Sequence, residues 1–392
     1  MKLKSIVRRL FLLPALPVVF LIRLVSPIIL IRIGQINSGR IGHFAMDVEL
    51  SILKRRRCKS NTFFPKIIDL YFLEDSPSNT YLLKLWNQEI AIYPKWILKP
   101  IHRINLKLPR STDFNVFNGI SHEDLTMLDK YSPILKMSKE DEDKSLSILK
   151  SIGITREDKY VCLCVRDAEY LNHAFPGTDW SEHNHRDSKI DTYVKAAEFL
   201  ASKGYKVVRM GKSVRKKMES SCSSIIDYAI SEQRSDMLDI YLFSHAYFII
   251  TTSTGMDFLG ALFRVPTGMV NIVSPKSIYQ GELIRSFQVK EMIDSSSGRK
   301  LGLGELLARG YSKAYHHSDF VSMNIKLIDN TSEDLYNFFS EMERLVSGDK
   351  AENFSPEVVN ILEEFGVLNK NWAKLSPTWL MNHSYYISNR HS

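Results

Sequence analysis

Cysteine is scarce: only Cys58, Cys162, Cys164 and Cys222 occur in 392 residues. Cys162 and Cys164 stand two apart in the apolar run Tyr160–Val165, so they share one face of a strand. Adjacent same-face positions are a poor disulfide framework. They read as small core residues rather than metal ligands, and nothing points to an oxidising compartment. Long apolar runs are missing too. Leu10–Ile22 and Leu24–Ile31 are separated by Arg23, and each falls short of the roughly 20 residues that span a bilayer. Pro14, Pro17 and Pro27 argue against one straight helix, and no small-residue cleavage site follows. Tandem repeats, low-complexity runs and recognised nucleic-acid modules are absent, which argues against a nucleic-acid partner. Two short motifs lack their context. Gly211-Lys212-Ser213 has Lys206 where a phosphate loop needs its first glycine. Asp141-Glu142-Asp143 has the Asp-x-Asp form of a metal-holding motif, but it opens a charged helix between Lys139 and Lys144. It reads as a solvated helix start, and no metal cofactor is expected.

What is present suits a globular protein of two ordinary domains: 44% of residues are hydrophobic. The formal net charge of +8 favours an anionic partner. Lys2, Lys4, Arg8 and Arg9 precede the broken apolar leader. A basic, Pro-broken segment of this kind fits the interface of an anionic membrane leaflet. Packing on the protein's own surface, or a single span with Arg23 buried, are the other readings. With residues 1–27 as a membrane-associating leader, deleting those up to about Ile22 is expected to leave a soluble domain that still binds nucleotide.

Ile28–Ile33 reads as a buried strand running into Gly34–His43, and a helical pattern follows from Phe44 to about Arg55. Strand, Gly-rich loop and helix open a Rossmann-like unit. Lys66–Leu73 is a second strand and Tyr81–Ile90 a helix; Tyr93–Pro133 shows no clean period. Lys139–Ile152 is a charged helix with Gly153 as C-cap. The expected domains are residues 28–153 and 154–347, with a helical tail over 348–392. The second half alternates regularly. Strands are expected at Tyr160–Val165, Tyr205–Met210, Ser224–Ala229, Tyr247–Thr252 and Met269–Val273, and helices at Asp191–Ser202, Ser235–Ala246 and Met256–Phe263. That alternation predicts an α/β fold with a parallel sheet, whose ligands sit at the carboxyl ends of the strands.

Three strand ends there share a character: Val165-Arg166-Asp167, Val208-Arg209-Met210-Gly211 and Thr251–Gly255. Guanidinium forks match phosphate oxygens, and free N–H groups at a helix start accept an anion. Arg166, Arg209, Met210, Gly211, Ser253, Thr254 and Gly255 are therefore candidates for a diphosphate. Arg166 and Arg209, ending adjacent strands, are expected to reach one crevice. Singly, each has a plainer reading as a surface salt bridge or a strand-to-helix turn. The long loop Asp167–Lys189 carries Asn172, His173, Asp179, Trp180, His183, His185, Arg186, Asp187 and Ser188. It suits contacts to ribose, sugar hydroxyls or acceptor better than metal; Asp187 or Ser188 also suits a helix cap. In the first half, His43 is the candidate general base, with Asp167, Asp179 and His173 next in line. His43 also reads as a capping or packing histidine. Arg40, Gly42 and His173 are candidates for the acceptor.

The runs Val165-Arg166-Asp167, Arg186–Tyr193, Gly204–Gly211 and Ser253-Thr254-Gly255, with Gly39–His43, resemble a group of bacterial glycosyltransferases from surface-polysaccharide clusters. The resemblance extends from about Ile28 to Val346 and is strongest in the second half. It implies a GT-B fold: two Rossmann-like domains facing across a cleft, the nucleotide-sugar donor in the second and a glycan or lipid-linked acceptor toward the first. The basic, broken apolar leader places the expected protein at the cytoplasmic face of the inner membrane, peripheral to it or anchored in it. More distantly, Arg166 and Asp167 resemble the arginine-centred donor motif of fucosyltransferases, though that motif's second basic residue is absent. Two other readings remain: a two-domain nucleotide-sugar epimerase, which has no use for an apolar leader, and a non-catalytic membrane-tethered polysaccharide-assembly protein, which has no use for strand-end arginines.

Overall fold

The computed structural model describes residues 14–58, 65–117, 122–174, 176–274, 278, 281–348 and 374–388. The chain forms two compact units, one of residues 1–127 with 133–137, the other of 128–132 with 138–392. The charged helix Lys139–Ser151 thus packs with the second unit. Ser138 caps it by accepting from the Asp141 N–H.

In the first unit, β1 (Ile29–Ile36) and β2 (Lys66–Leu73) pair in parallel, Ile29 against Lys66 through Ile36 against Leu73. Helix Ile41–Cys58 is the crossover between them. Arg32 clamps Asp69 across the two strands with bonds of 2.7 and 2.9 Å. The unassigned stretch after residue 93 contains helix Lys95–Asn105, which tolerates Pro100 in its interior. Asn79 caps the preceding helix Thr80–Glu89, accepting from Leu82 N–H at 2.7 Å.

The expected leader needs correction in part. Residues 1–13 lie outside the described residues, but Ala15–Leu24 is a helix built into the unit. Its Ala15, Val19 and Ile22 pack with Ile33, Phe72, Leu98, Ile101 and Phe114 in one hydrophobic cluster. Arg23, which interrupts the apolar run, is not wasted on solvent: its Nε donates to Asn105 Oδ1 at 2.9 Å and its Nη1 to the Pro109 carbonyl at 2.8 Å. Cutting the chain at Ile22 would remove part of a core, not a detachable anchor. Among the described residues no helix is long and apolar enough to cross a membrane.

The second unit is α/β, built on a parallel six-stranded sheet. Its strands are β3 (Tyr160–Cys164), β4 (Lys206–Arg209), β5 (Ile225–Ile226), β6 (Phe248–Thr251), β7 (Thr267–Ile272) and β8 (Ile284–Val289). The spatial order is β5-β4-β3-β6-β7-β8, every pair parallel. The chain therefore winds outward from β3 on one side and from β6 on the other. The strand order reverses between them, which is where a doubly wound sheet opens a crevice at its carboxyl edge. Helices Val194–Ser202 and Ser332–Ser347 pack on one face around Val161, Leu163, Val207, Phe248 and Phe338. Helix Asp236–His245, capped by Ser235 through the Leu238 N–H, buries Leu238, Ile240 and Leu242 elsewhere in the unit. A separate antiparallel pair, β9 (Glu291–Asp294) with β10 (Ile325–Ile328), follows β8. Cys162 and Cys164 are buried free thiols. Residues 349–373 of the expected helical tail lie outside the described residues; Pro377–Asn382 forms a helix, with Trp379 stacked on His383.

Because Ile22 is 6% and Leu21 57% exposed, the two neighbours should separate cleanly. Ile22→Ala should cost about 2–4 kcal/mol in urea unfolding and Leu21→Ala less than about 0.5 kcal/mol. Equal, small losses would show that the helix is not part of the core.

Candidate anion-binding site at the sheet's carboxyl edge

The reversal point is closed by backbone. Thr252 N–H donates to the Cys164 carbonyl at 3.1 Å, and Arg166 N–H donates to Thr252 Oγ1 at 2.9 Å. These bonds fix Arg166 where β3 and β6 diverge. Ser188 N–H then donates to the Arg166 carbonyl at 3.0 Å, which lays Arg186-Asp187-Ser188 alongside it. Ser188 Oγ in turn meets Tyr193 OH and Asn271 Nδ2 at 3.1 and 3.0 Å. A buried polar network thus anchors the segment from below.

Three cations gather around this segment. Arg166 Nε stands 3.2 Å from Asp187 Oδ1. Lys290, almost wholly buried just beyond β8, donates to the Asp187 carbonyl at 2.8 Å and pairs with Asp329 at 2.7 Å. Arg186 lies within electrostatic range of Arg166. Burial and then the Arg186 charge push the Arg166 guanidinium down to about 10, so it remains charged at neutral pH. Burial raises the Asp187 carboxyl, against the pull of Arg166. Burial, followed by the Arg186 charge, takes His185 down to about 4, leaving it neutral. Two guanidinium groups that repel each other in a partly dehydrated edge are relieved by an anion.

The loop after β6 completes the edge. Ser253 has φ 58°, a left-handed turn that a non-glycine residue adopts only where its surroundings hold it. Thr254 Oγ1 accepts from Met256 N–H at 3.2 Å, and Gly255 is exposed. The helix expected over Met256–Phe263 runs from Asp257 to Leu262 and is only six residues long. Its dipole is correspondingly weak. Asp257 is fully buried; burial raises its carboxyl to about 7, and its Oδ1 accepts from Phe258 N–H.

Arg209 requires a correction. It pairs with Leu163 inside the sheet, three residues short of the level of Arg166, and its side chain is 2% exposed. Nη1 donates to Asp227 Oδ2 at 3.1 Å and to the Lys216 carbonyl at 2.5 Å. The structure therefore gives Arg166 and Arg209 no common partner, and Arg209 is held as a buried structural ion pair. Met210 is buried with its N–H on the Leu163 carbonyl. Gly211 is demanded by close packing: a Cβ there would meet Val214 Cγ1 at 2.7 Å. Asp167 spends both oxygens on backbone, accepting from Glu169 and Arg215 N–H groups at 3.0 and 2.9 Å. His173 is exposed on the short helix Glu169–Ala174.

In the first unit, His43 sits in the first turn of helix Ile41–Cys58 and is half exposed. Its Nδ1 lies 3.1 Å from Asp47 Oδ2. A carboxylate only accepts, so Nδ1 carries the proton and Nε2 is the basic nitrogen. The bond to Asp47 raises the imidazole above its ordinary value. Arg40 is exposed and Gly42 buried in the same turn.

No family model and no curated protein matches the chain. Solved structures overlay loosely. One is the ADP-heptose lipopolysaccharide heptosyltransferase II of E. coli, at TM-score 0.41 and 15% identity over 81% of this chain and 98% of that one. A glycosyltransferase family 9 protein of Veillonella parvula gives TM-score 0.41 and 12% identity over 81% and 97%. E. coli heptosyltransferase WaaC with ADP gives TM-score 0.35 and 12% identity over 64% and 91%. Likeness this remote carries no inference to the activity of this chain.

Two site residues escaped the sequence reading. Arg186 stood in the loop read as contacting ribose, sugar or acceptor, not as a phosphate ligand, because the Ser188–Arg166 and Lys290–Asp187 bonds that bring it to the edge are tertiary. Lys290 follows β8, a strand whose mixed sequence Ile284–Val289 shows no apolar run. Among the described residues no three His, Cys, Asp or Glu side chains gather as a metal-ligand set.

Two outcomes follow. Arg209→Ala strands Asp227 in the interior and should cost about 3–5 kcal/mol of stability, read by thermal unfolding, whereas Arg166→Ala should leave the fold intact; the reverse pattern would contradict this division. Asp257 is protonated more readily in the folded than in the unfolded chain, so its burial opposes folding increasingly as pH rises from about 4 to above about 7. Asp257→Asn, which keeps the Oδ1 acceptor, should stabilise the protein at pH 8 and change little at pH 4. A uniform effect across that range would show that the carboxyl does not titrate there.

Proposed function

We propose that the chain is a glycosyltransferase of GT-B type. It moves a sugar from a nucleotide-sugar donor to a glycan or lipid-linked acceptor of a surface polysaccharide, met at the cytoplasmic face of an anionic membrane. The observation that supports this best is the placement of Arg166 at the reversal point of a parallel sheet, bonded through backbone to the Arg186–Ser188 segment. Cation pairs at such an edge suit a diphosphate, and the resemblance of these same runs to polysaccharide glycosyltransferases names the reaction.

On this reading Arg166 and Arg186 receive the donor diphosphate, and Ser253, Thr254 and Gly255 offer backbone N–H groups to it. Lys290 and Asp187 hold the segment that carries Arg186. As the glycosidic bond breaks, the leaving nucleoside diphosphate gains charge, so the guanidinium contacts strengthen toward the transition state. These cations supply that stabilisation without a metal. His43 Nε2 takes the proton of the acceptor hydroxyl, with Asp47 orienting the ring; Arg40 and Gly42, in the same turn, are the proposed acceptor contacts. His173 is the remaining acceptor contact and Asp167 the alternative base.

The direct test is thermal stabilisation by ADP, GDP, UDP, CDP and their common sugar conjugates, since binding stabilises the native state by mass action. A shift with one base's conjugates, followed by release of that nucleoside diphosphate on addition of a glycan acceptor, is the expected result. An epimerised donor with no transfer would replace the reading. For His43, kcat/KM should rise with pH through a value above the imidazole's usual figure of about 6.5. Asp47→Asn should move that limb downward, because the bond that raises His43 is weakened. A limb that ignores Asp47 would place the base elsewhere.

A further inference from the structure

We infer that the first unit docks on an anionic lipid bilayer through the outer side of helix Ala15–Leu24 together with the end of helix Lys95–Asn105. This deepens the membrane part of the reading above and does not depend on sugar transfer. A helix that is apolar on every side is at rest only when every side is out of water. Ala15–Leu24 contains one polar residue, Arg23, and the unit's own core takes a single face through Ala15, Val19 and Ile22. The other face leaves Leu16 at 49%, Phe20 at 69%, Leu21 at 57% and Leu24 at 62% exposed. Ile28, just beyond, is 75% exposed. Arg23 fastens this helix to Asn105 and Pro109. That brings its Leu24 end to the turn where Leu106 and Leu108 are exposed. Soluble monomers rarely leave so continuous a row of large apolar side chains uncovered.

Charge selects the occupant. The sequence holds no acidic residue before Asp47, while Lys2, Lys4, Arg8, Arg9, Arg23, Arg32 and Arg40 precede it. Lys95–Arg110 holds none either; there Lys95 and Lys99 meet Glu74 and Arg110 meets Asp113, as Arg32 meets Asp69, while Arg103 and Lys107 are exposed beside Leu106 and Leu108. A second copy of this chain laid against the same face would bring the exposed Arg103 and Lys107 of both copies to one interface. Anionic headgroups complement them, and the acyl boundary takes the apolar row. Since the helix is ten residues long and carries Arg23, it lies in the interface and does not span.

The test is cosedimentation of the full-length chain with phosphatidylglycerol-containing vesicles and with pure phosphatidylcholine vesicles. Binding is expected only to the former and should weaken with salt. Phe20→Ser with Leu24→Ser should lower vesicle affinity at least about tenfold. Arg103→Gln with Lys107→Gln should lower it several-fold and flatten its salt dependence. These positions are exposed, so the thermal midpoint should stay put, separating lost docking from lost folding. Wild-type affinity in the Phe20/Leu24 variant would overturn the proposal in favour of residues 1–13 as the whole attachment. A concentration-dependent dimer dissolved by the same substitutions, with no vesicle binding, would overturn it in favour of self-association. Failure of vesicle binding leaves the transfer reading untouched, and failure of transfer leaves this one untouched.

Discussion

The N–H of Arg166 on the hydroxyl of Thr252 holds together the carboxyl edge of the second unit's sheet, where the diphosphate site is proposed. It joins the ends of β3 and β6 at the one place where the sheet changes direction, and the Arg166 carbonyl then receives Ser188. Both guanidinium groups of the site owe their positions to that chain of bonds: Arg166 directly, Arg186 through the segment laid beside it. Neither would choose the other's company in water. They are kept together because the buried hydroxyls of Tyr193 and Ser188, the amide of Asn271 and the ammonium of Lys290 fix the backbone beneath them. The like-charge repulsion so stored is what a diphosphate would discharge.

The two arginines that end adjacent strands show how little a motif says without register. Both are strand-end arginines that follow a valine. Arg209 lies level with Leu163 and turns under the 216–218 segment to meet Asp227; Arg166 lies beyond the last ladder bond and meets a carboxylate at the edge. The same residue type serves the core in one case and the crevice in the other.

Most of the second unit's parallel sheet was legible because β3, β4, β6 and β7 are short apolar runs with helices between most of them; β8, with its mixed sequence, was not. Gly153 marked a helix end as expected, while Ser138 and Ser235 supply the N-caps of their helices. The first unit was harder. Helix Lys95–Asn105 carries Pro100, which breaks the usual pattern. The leader's apolar content looked like a membrane anchor, because a sequence does not say which face of an all-apolar helix a core will claim. At the site, Arg166 and Ser253–Gly255 stood out as strand ends. Lys290 and the role of Arg186 did not, since they depend on pairings across more than a hundred residues and within a loop.

The measurement closest to the central claim is calorimetric titration with inorganic pyrophosphate, which needs no base or sugar. It would be run on the wild type, Arg166→Ala, Arg186→Ala and the double variant. If the two guanidinium groups share one anion, each single change should remove most of the affinity and the double change little more. Equal pyrophosphate affinity in all four proteins, or losses that simply add, would contradict a shared diphosphate site.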